Sequence, residues 1–229
     1  MTALTAEMTV AQIVLDHSEC AGVFQRHRID YCCKGEQPLA SACAQRGADA
    51  KQVLEELEEV VRARKSAPEL DARALPTEAL VEHVVQRYHR ALRDALTFTV
   101  GLAKKVARVH GEHNPKLLAL RDEVEALSDA MLPHMAEEEE VLFPALTAVR
   151  PDPVLIQREL SVMHSDHLAV AQTLEAIRAA AEDFALPDWA CTSYRTLFKE
   201  LEVMERELFT HVHLENHVLM PRFAPEGRA

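Results

Sequence analysis

The chain is poor in glycine, with 6 among 229 residues. That scarcity, set against 48% hydrophobic residues with Ala, Leu, Glu and Arg prominent, points to a mostly helical protein. It also lacks any excess of basic charge. A formal charge of −12, with no stretch where Lys and Arg concentrate, argues against nucleic acid, because phosphate binding needs a basic patch. No run approaches the roughly 20 apolar residues of a membrane helix. Met1 to Val10 has neither the charged nor the apolar region of a signal peptide, so a soluble, cytoplasmic protein is expected. Five cysteines, an odd number, do not read as a disulfide scaffold in a chain long enough for its own core. The length leaves room for one domain of about 150 residues and a smaller one.

One stretch is present twice. The first copy runs His134-Met135-Ala136-Glu137-Glu138-Glu139-Glu140-Val141-Leu142-Phe143-Pro144. The second, 77 residues on, runs His211-Val212-His213-Leu214-Glu215-Asn216-His217-Val218-Leu219-Met220-Pro221. Both contain His-x-x-x-Glu, Leu four residues later and Pro two beyond that. Residues i and i+4 lie one turn apart on one helical face, so each copy aims an imidazole and a carboxylate at one point. Met131, His134, Glu138 and Leu142 form one stripe; Leu208, His211, Glu215 and Leu219 form the other. In both, a polar pair interrupts an apolar, core-facing line. Buried carboxylate beside buried imidazole is costly unless something binds both, and a metal ion does so.

The organisation around these copies is expected to be all-α. Short helical patterns at Thr9–His17, Ser18–His27 and Leu39–Arg46 lead to a helix over 50–64, with Asp49 as N-cap and Val53, Leu54, Leu57, Val60 and Val61 inward. Residues 1–65 thus form a small N-terminal helical domain, and 66–76, with two prolines and no periodicity, a linker. Four long periodic segments follow over 77–223, from Thr77 to His110, Lys116 to Ala148, Asp152 to Asp183 and Asp188 to Met220. Short breaks make successive helices antiparallel, which predicts an up-down-up-down four-helix bundle.

Depth along that bundle selects the histidines. His134 lies 18 residues into the second segment and His89 lies 21 before the end of the first, at one level. His134 is 14 from the end of its segment and His167 is 15 into the third, while His211 is 23 into the fourth. Four helices therefore bring His89, His134, His167 and His211 to one layer, and two add Glu138 and Glu215. His110 lies 21 residues on, at about 1.5 Å each roughly 31 Å from His89, and shares its centre only if the helix breaks sharply, as at Gly101; its expected place is the helix C-terminus, where an imidazole suits the dipole. His164 lies within about 60° of His167 on the same helix and stays open as a further metal contact. His83, His113, His213 and His217 point elsewhere or lie in loops, and Glu137, Glu139 and Glu140 are expected on a solvated face.

Four imidazoles and two carboxylates exceed the three protein ligands of a catalytic zinc. They suit two first-row metals, two His to each and Glu138 and Glu215 bridging, with iron favoured and manganese the alternative. The ferritin-like plan needs Glu three residues before a His, which occurs nowhere here.

This inventory resembles a hemerythrin-like di-iron bundle. The whole chain is similar to the repair-of-iron-centres, or iron–sulfur cluster repair, di-iron proteins. Tyr31-Cys32-Cys33-Lys34-Gly35 matches the Tyr-Cys-Cys-x-Gly motif of their N-terminal domain. Arg87-Tyr88-His89, His134-x-x-x-Glu138-Glu139-x-x-Leu142-Phe143-Pro144, Met163-x-x-Asp166-His167 and His211-x-x-Leu214-Glu215-Asn216-x-x-Leu219-x-Pro221 match the bundle. The resemblance implies two non-haem irons, oxo-bridged, a response to nitrosative and oxidative stress, and repair of damaged iron–sulfur proteins by iron supply or by binding and reducing nitric oxide. A non-enzymatic sensor or store of nitric oxide, dioxygen or iron is the alternative. His164 stands where many relatives have an acidic residue, and no fifth histidine is clearly supplied for carrying dioxygen.

Cys32-Cys33 is the other chemical feature. Lys34 and a nearby helix start would lower a thiol pKa, and the turn at Gly35 would leave the side chains accessible. Neighbouring Cα atoms about 3.8 Å apart would strain a mutual disulfide. The two cysteines are expected to act with the di-iron centre as reductant or as transient acceptor of iron. Cys20, Cys43 and Cys191 are expected to be packing residues.

Overall fold

The computed structural model describes residues 4–63 and 71–224. Among these there is no β-strand, only an isolated antiparallel bridge between Thr9 and Pro38, so the protein is all-α. No helix among the described residues is long and apolar enough to cross a membrane. The chain divides into two compact units, Met1–Ala74 with Phe209–Ala229, and Leu75–Leu208.

The first unit contains α1 (Val10–Asp16), α2 (Ala21–Arg26), α3 (Leu39–Arg46) and α4 (Ala50–Ala63). Thr9 caps α1, its hydroxyl accepting from Gln12 N at 3.2 Å, and Val10, Ile13 and Val14 turn inward at helical spacing. Gly47 ends α3 in the left-handed conformation at φ 66°, which costs a residue without Cβ nothing. The core joins Ile13, Val23, Phe24, Ile29, Tyr31, Leu39, Val53 and Leu57 to Val212, with Phe209 packed against it. The last turns of the chain thus complete the N-terminal core. Residues 66–70 of the expected linker lie outside the described residues. The part that follows is tied down: Ala72–Ala74 forms a 3₁₀ turn and Arg73 pairs with Asp16 at 2.7 Å.

The second unit is the bundle. Thr77–Val84 (α5), a single π turn at Val85–His89 and Arg90–His110 (α6) run as one rod. Lys116–Glu137 (α7) continues through a π turn at Glu138–Leu142 into Phe143–Leu146 (α8). Asp152 caps Pro153–Ala180 (α9), accepting from the amides of Val154 and Leu155, and Pro153 occupies the first helical position, where no N–H is needed. Thr192–Leu214 (α10) continues into a π turn at Glu215–Leu219. Helix α6 packs on α7 and α7 on α9. The early part of α10 closes the bundle through the Phe184–Phe198 ring pair and the ion pair of Arg178 with Glu205. Leu96, Leu120, Leu127, Leu174, Ile177 and Leu201 fill its interior.

Candidate metal centre

Both expected stripes are buried: Met131, His134, Glu138 and Leu142 on one, Leu208, His211, Glu215 and Leu219 on the other. Within each, the i,i+4 spacing brings imidazole to carboxylate. His134 Nε2 lies 3.3 Å from Glu138 Oε1, and His211 Nε2 lies 2.9 Å from Glu215 Oε1.

In the bundle unit, three helices converge on Glu138. Its Oε2 faces His89 Nε2 at 3.4 Å, while its Oε1 faces His134 Nε2 and also His167 Nε2, at 4.0 Å. The two carboxylate oxygens therefore serve different imidazoles, one on one side and two on the other. These separations exceed ordinary hydrogen-bond lengths. They suit donors sharing a cation, since two ligands each about 2.1 Å from one ion stand about 3–4 Å apart. The donor set fits metal: imidazole nitrogen with carboxylate oxygen, in a pocket where His89 and His167 are 0% and Glu138 2% exposed.

The outer nitrogens are held too. His89 Nδ1 lies 2.7 Å from Glu139 Oε1, which also accepts from Arg93 at 2.9 Å. His134 Nδ1 meets Asp166 Oδ2 at 3.2 Å. Outer carboxylates of this kind fix the tautomer that leaves Nε2 free to ligate and orient the ring. Glu139 corrects the sequence reading, which put it on the solvated face with Glu137 and Glu140. Partial burial raises its pKa, but hydrogen bonds from Arg93 and His89 outweigh that and hold it below the usual range.

Sequence reasoning also missed the π turns, which fall at buried His and Glu residues singled out above. His89 ends one, and Glu138 and Glu215 each begin another. A π turn inserts an extra residue in the helical ladder and turns later side chains relative to earlier ones, a device found at functional sites. Phe143 N and Met220 N each bond back five residues, to Glu138 O and Glu215 O. Pro144 and Pro221, which have no N–H to offer, follow directly.

His164 is exposed and takes no part in the buried cluster. His110 ends α6 as expected, its Nε2 3.2 Å from Cys191 Sγ and its ring beside Trp189 and Tyr194. Cys191 is exposed, contrary to the packing role expected of it; Cys20 and Cys43 are buried.

The cysteine pair differs from expectation. Cys32 is buried, not accessible, and its thiol is pushed well above its ordinary range by that burial, with Cys33 and Asp30 adding to the shift. The thiolate expected from Lys34 and a helix start does not apply to Cys32: α3 begins only at Leu39, and the nearest charged partner is a carboxylate. Asp30 Oδ1 accepts from Cys32 N at 3.0 Å, Cys33 N at 2.8 Å and the Cys32 thiol at 3.2 Å. The two sulfurs stand 3.6 Å apart, and Cys33 is half-buried.

His213 and His217, which the helical phase turns away from the His211 stripe, have a use of their own. His213 Nδ1 donates to Tyr31 O at 3.2 Å, His217 Nε2 to Cys32 O at 2.8 Å, and Asn216 Nδ2 to the same oxygen at 3.0 Å. Burial, helped by neighbouring His217, depresses His213 to about 3, so its ring is neutral there. Gly35 allows the approach: a Cβ on it would lie 2.5 Å from both His217 Nε2 and Tyr31 O.

Comparison with known proteins adds to this geometry. The hemerythrin HHE cation-binding domain matches residues 80–223, and a domain of unknown function termed ScdA_N matches residues 6–61. The iron-sulfur cluster repair protein ScdA of Staphylococcus haemolyticus is 33% identical over 230 residues, covering 96% of this chain and all of that protein. ScdA of Staphylococcus epidermidis is 30% identical over 96% of this chain and 99% of its own length. The iron-sulfur cluster repair protein YtfE of Escherichia coli is 28% identical, covering 94% of this chain and 96% of that one.

Proposed function

This chain belongs to the hemerythrin-domain family of iron–sulfur cluster repair proteins, and from that membership we propose that it repairs clusters damaged by nitrosative or oxidative stress. A bundle over 77–223 holds two iron ions in this reading, and an N-terminal domain over 1–65 supplies a thiol. His89, His134, His167, His211, Glu138 and Glu215 are the residues that would hold the irons. The observation that carries it is the division of Glu138, one oxygen toward His89 and the other toward His134 and His167. The fourth helix repeats the same device, a histidine one turn before a glutamate that opens a π turn.

When bound, iron supplies one-electron chemistry and a coordination position for nitric oxide or dioxygen. The protein holds His89 and His134 with Nε2 toward Glu138 through their outer hydrogen bonds to Glu139 and Asp166. Its apolar stripes keep water from the buried carboxylates. Cys33, half-buried and beside Cys32, is the thiol that would accept iron in transit. A sensor or store without repair activity would have no need of that thiol.

Metal analysis of the purified protein is expected to give two irons per chain. One iron, or zinc alone, would sink the reading. Replacing Glu138 by Ala should remove most of the metal, because both ions lose a ligand. Replacing Cys33 by Ser should leave helicity and iron content intact and abolish reactivation of an iron–sulfur enzyme inactivated by nitric oxide. Normal reactivation by that variant excludes a role for the thiol.

A further inference from the structure

We propose that Asn216 and His217 are positioning residues for the metal ligands His211 and Glu215, and that the backbone of Tyr31–Gly35 is the platform they grip. The proposal rests on His211 and Glu215 being ligands. It assigns to the Tyr-Cys-Cys-x-Gly segment a task distinct from thiol chemistry: its carbonyl groups hold the π turn that presents Glu215.

The contact is dense and directional. Two consecutive carbonyls, Tyr31 O and Cys32 O, receive three side-chain donors from one helix end, at 3.2, 3.0 and 2.8 Å. Those donors alternate with the ligands: His213 lies between His211 and Glu215, and Asn216 and His217 follow Glu215 directly. The platform is itself fixed, because Asp30 Oδ1 ties down the amides of Cys32 and Cys33. The Tyr31 ring stacks edge-on against both Phe209 and His213. Gly35 admits His217 where any larger residue would block it.

The two motif copies support the assignment. In the first, the residue after the glutamate is Glu139, which orients His89 from outside. In the second, that position is Asn216, and it reaches the Cys32 carbonyl instead. Both copies use the residue following the carboxylate as an outer anchor, one on a ligand ring and one on a neighbouring backbone. Asn216 and His217 follow Glu215 directly in the π turn, so their anchors on the Cys32 carbonyl fix the backbone from which the Glu215 carboxylate projects. Loss of such partners typically costs about 10–100-fold in metal affinity.

The test uses the full-length protein loaded with ferrous iron and challenged with a ferrous chelator, with visible spectra of the air-oxidised form. His217→Leu and Gly35→Ala disturb one contact from opposite sides, and both should release iron about 10–100-fold more readily and shift the spectrum. His217→Gln, which keeps an N–H donor, should stay near wild type. Asn216→Asp keeps the shape but turns an acceptor toward Cys32 O, so it should behave like His217→Leu even where larger changes impair folding. Melting of the metal-free proteins separates anchoring from general stability. If the variants melt earlier yet keep wild-type iron retention and spectra, the contact is only a packing joint and the proposal falls. His211→Ala and Glu215→Ala distinguish the underlying reading. Unchanged iron in those two overturns the ligand assignment and this inference with it; iron loss there without loss in Asn216→Asp overturns this inference alone.

Discussion

Glu139 shows how much a single side chain in an acidic run can carry. Four successive glutamates offered the sequence no chemical distinction, and helical phase alone singled out Glu138. Phase failed for Glu139 because the π turn at Glu138–Leu142 widens the helix there, and its side chain reaches His89 across the bundle. Replacing Glu139 by Ala should weaken iron binding about 10–100-fold with little change in fold, since the residue holds the His89 ring but fills no core; competition with a chelator measures it. Cys32 teaches the opposite lesson. A Lys neighbour suggested reactivity, but burial is decided by the tertiary core, which local sequence does not encode. In the native protein a neutral alkylating reagent near pH 8 is therefore expected to label Cys33 and leave Cys32, as peptide mass mapping would reveal. Labelling of Cys32 at a comparable rate would show that the platform opens.

At the scale of elements, the long helices and their breaks were legible because the apolar stripes keep a 3.6-residue period and prolines mark the turns. Layering was legible too: His89, His134 and His167 were placed by counting residues from helix ends, and all three face Glu138. The π turns were not. Two left a trace, the proline two residues after the motif leucine, but the sequence reading gave that proline no meaning. The turn at Val85–His89 has no such proline. A single-residue deletion tests the spacing of the motif. Removing Ala136, between His134 and Glu138, should turn the two side chains about 100° apart on the helix. Circular dichroism should be almost unchanged while most iron is lost. Retention of both irons would mean that the four-residue spacing does not hold the metal.

For the whole molecule, metal and stability should be coupled. The stripped protein keeps a carboxylate among three imidazoles in its interior, an arrangement a cation relieves. Free iron at about 100 times its dissociation constant adds roughly 2.7 kcal/mol to the folded state. In a chain of this size that corresponds to a rise in melting temperature of about 5–10 °C. Calorimetry with and without a chelator should show the shift in wild type and little of it in Glu138→Ala. An equal shift in that variant would place the metal elsewhere.

Val212 and Phe209 belong to the core that begins near Val10. During synthesis, α1 to α4 leave the ribosome early but cannot close that core. The helix end that completes it follows about 150 residues later, on the order of ten seconds at about 5–20 residues per second. Until then Tyr31 has no Phe209 to pack on, and the Cys32 carbonyl has no donor from Asn216 or His217. A chain stopped short of residue 209 is left with an open N-terminal core that exposes apolar surface to chaperones and proteases. The ordering works as an inspection: the cysteine segment reaches its native setting only on a chain that already carries His211 and Glu215.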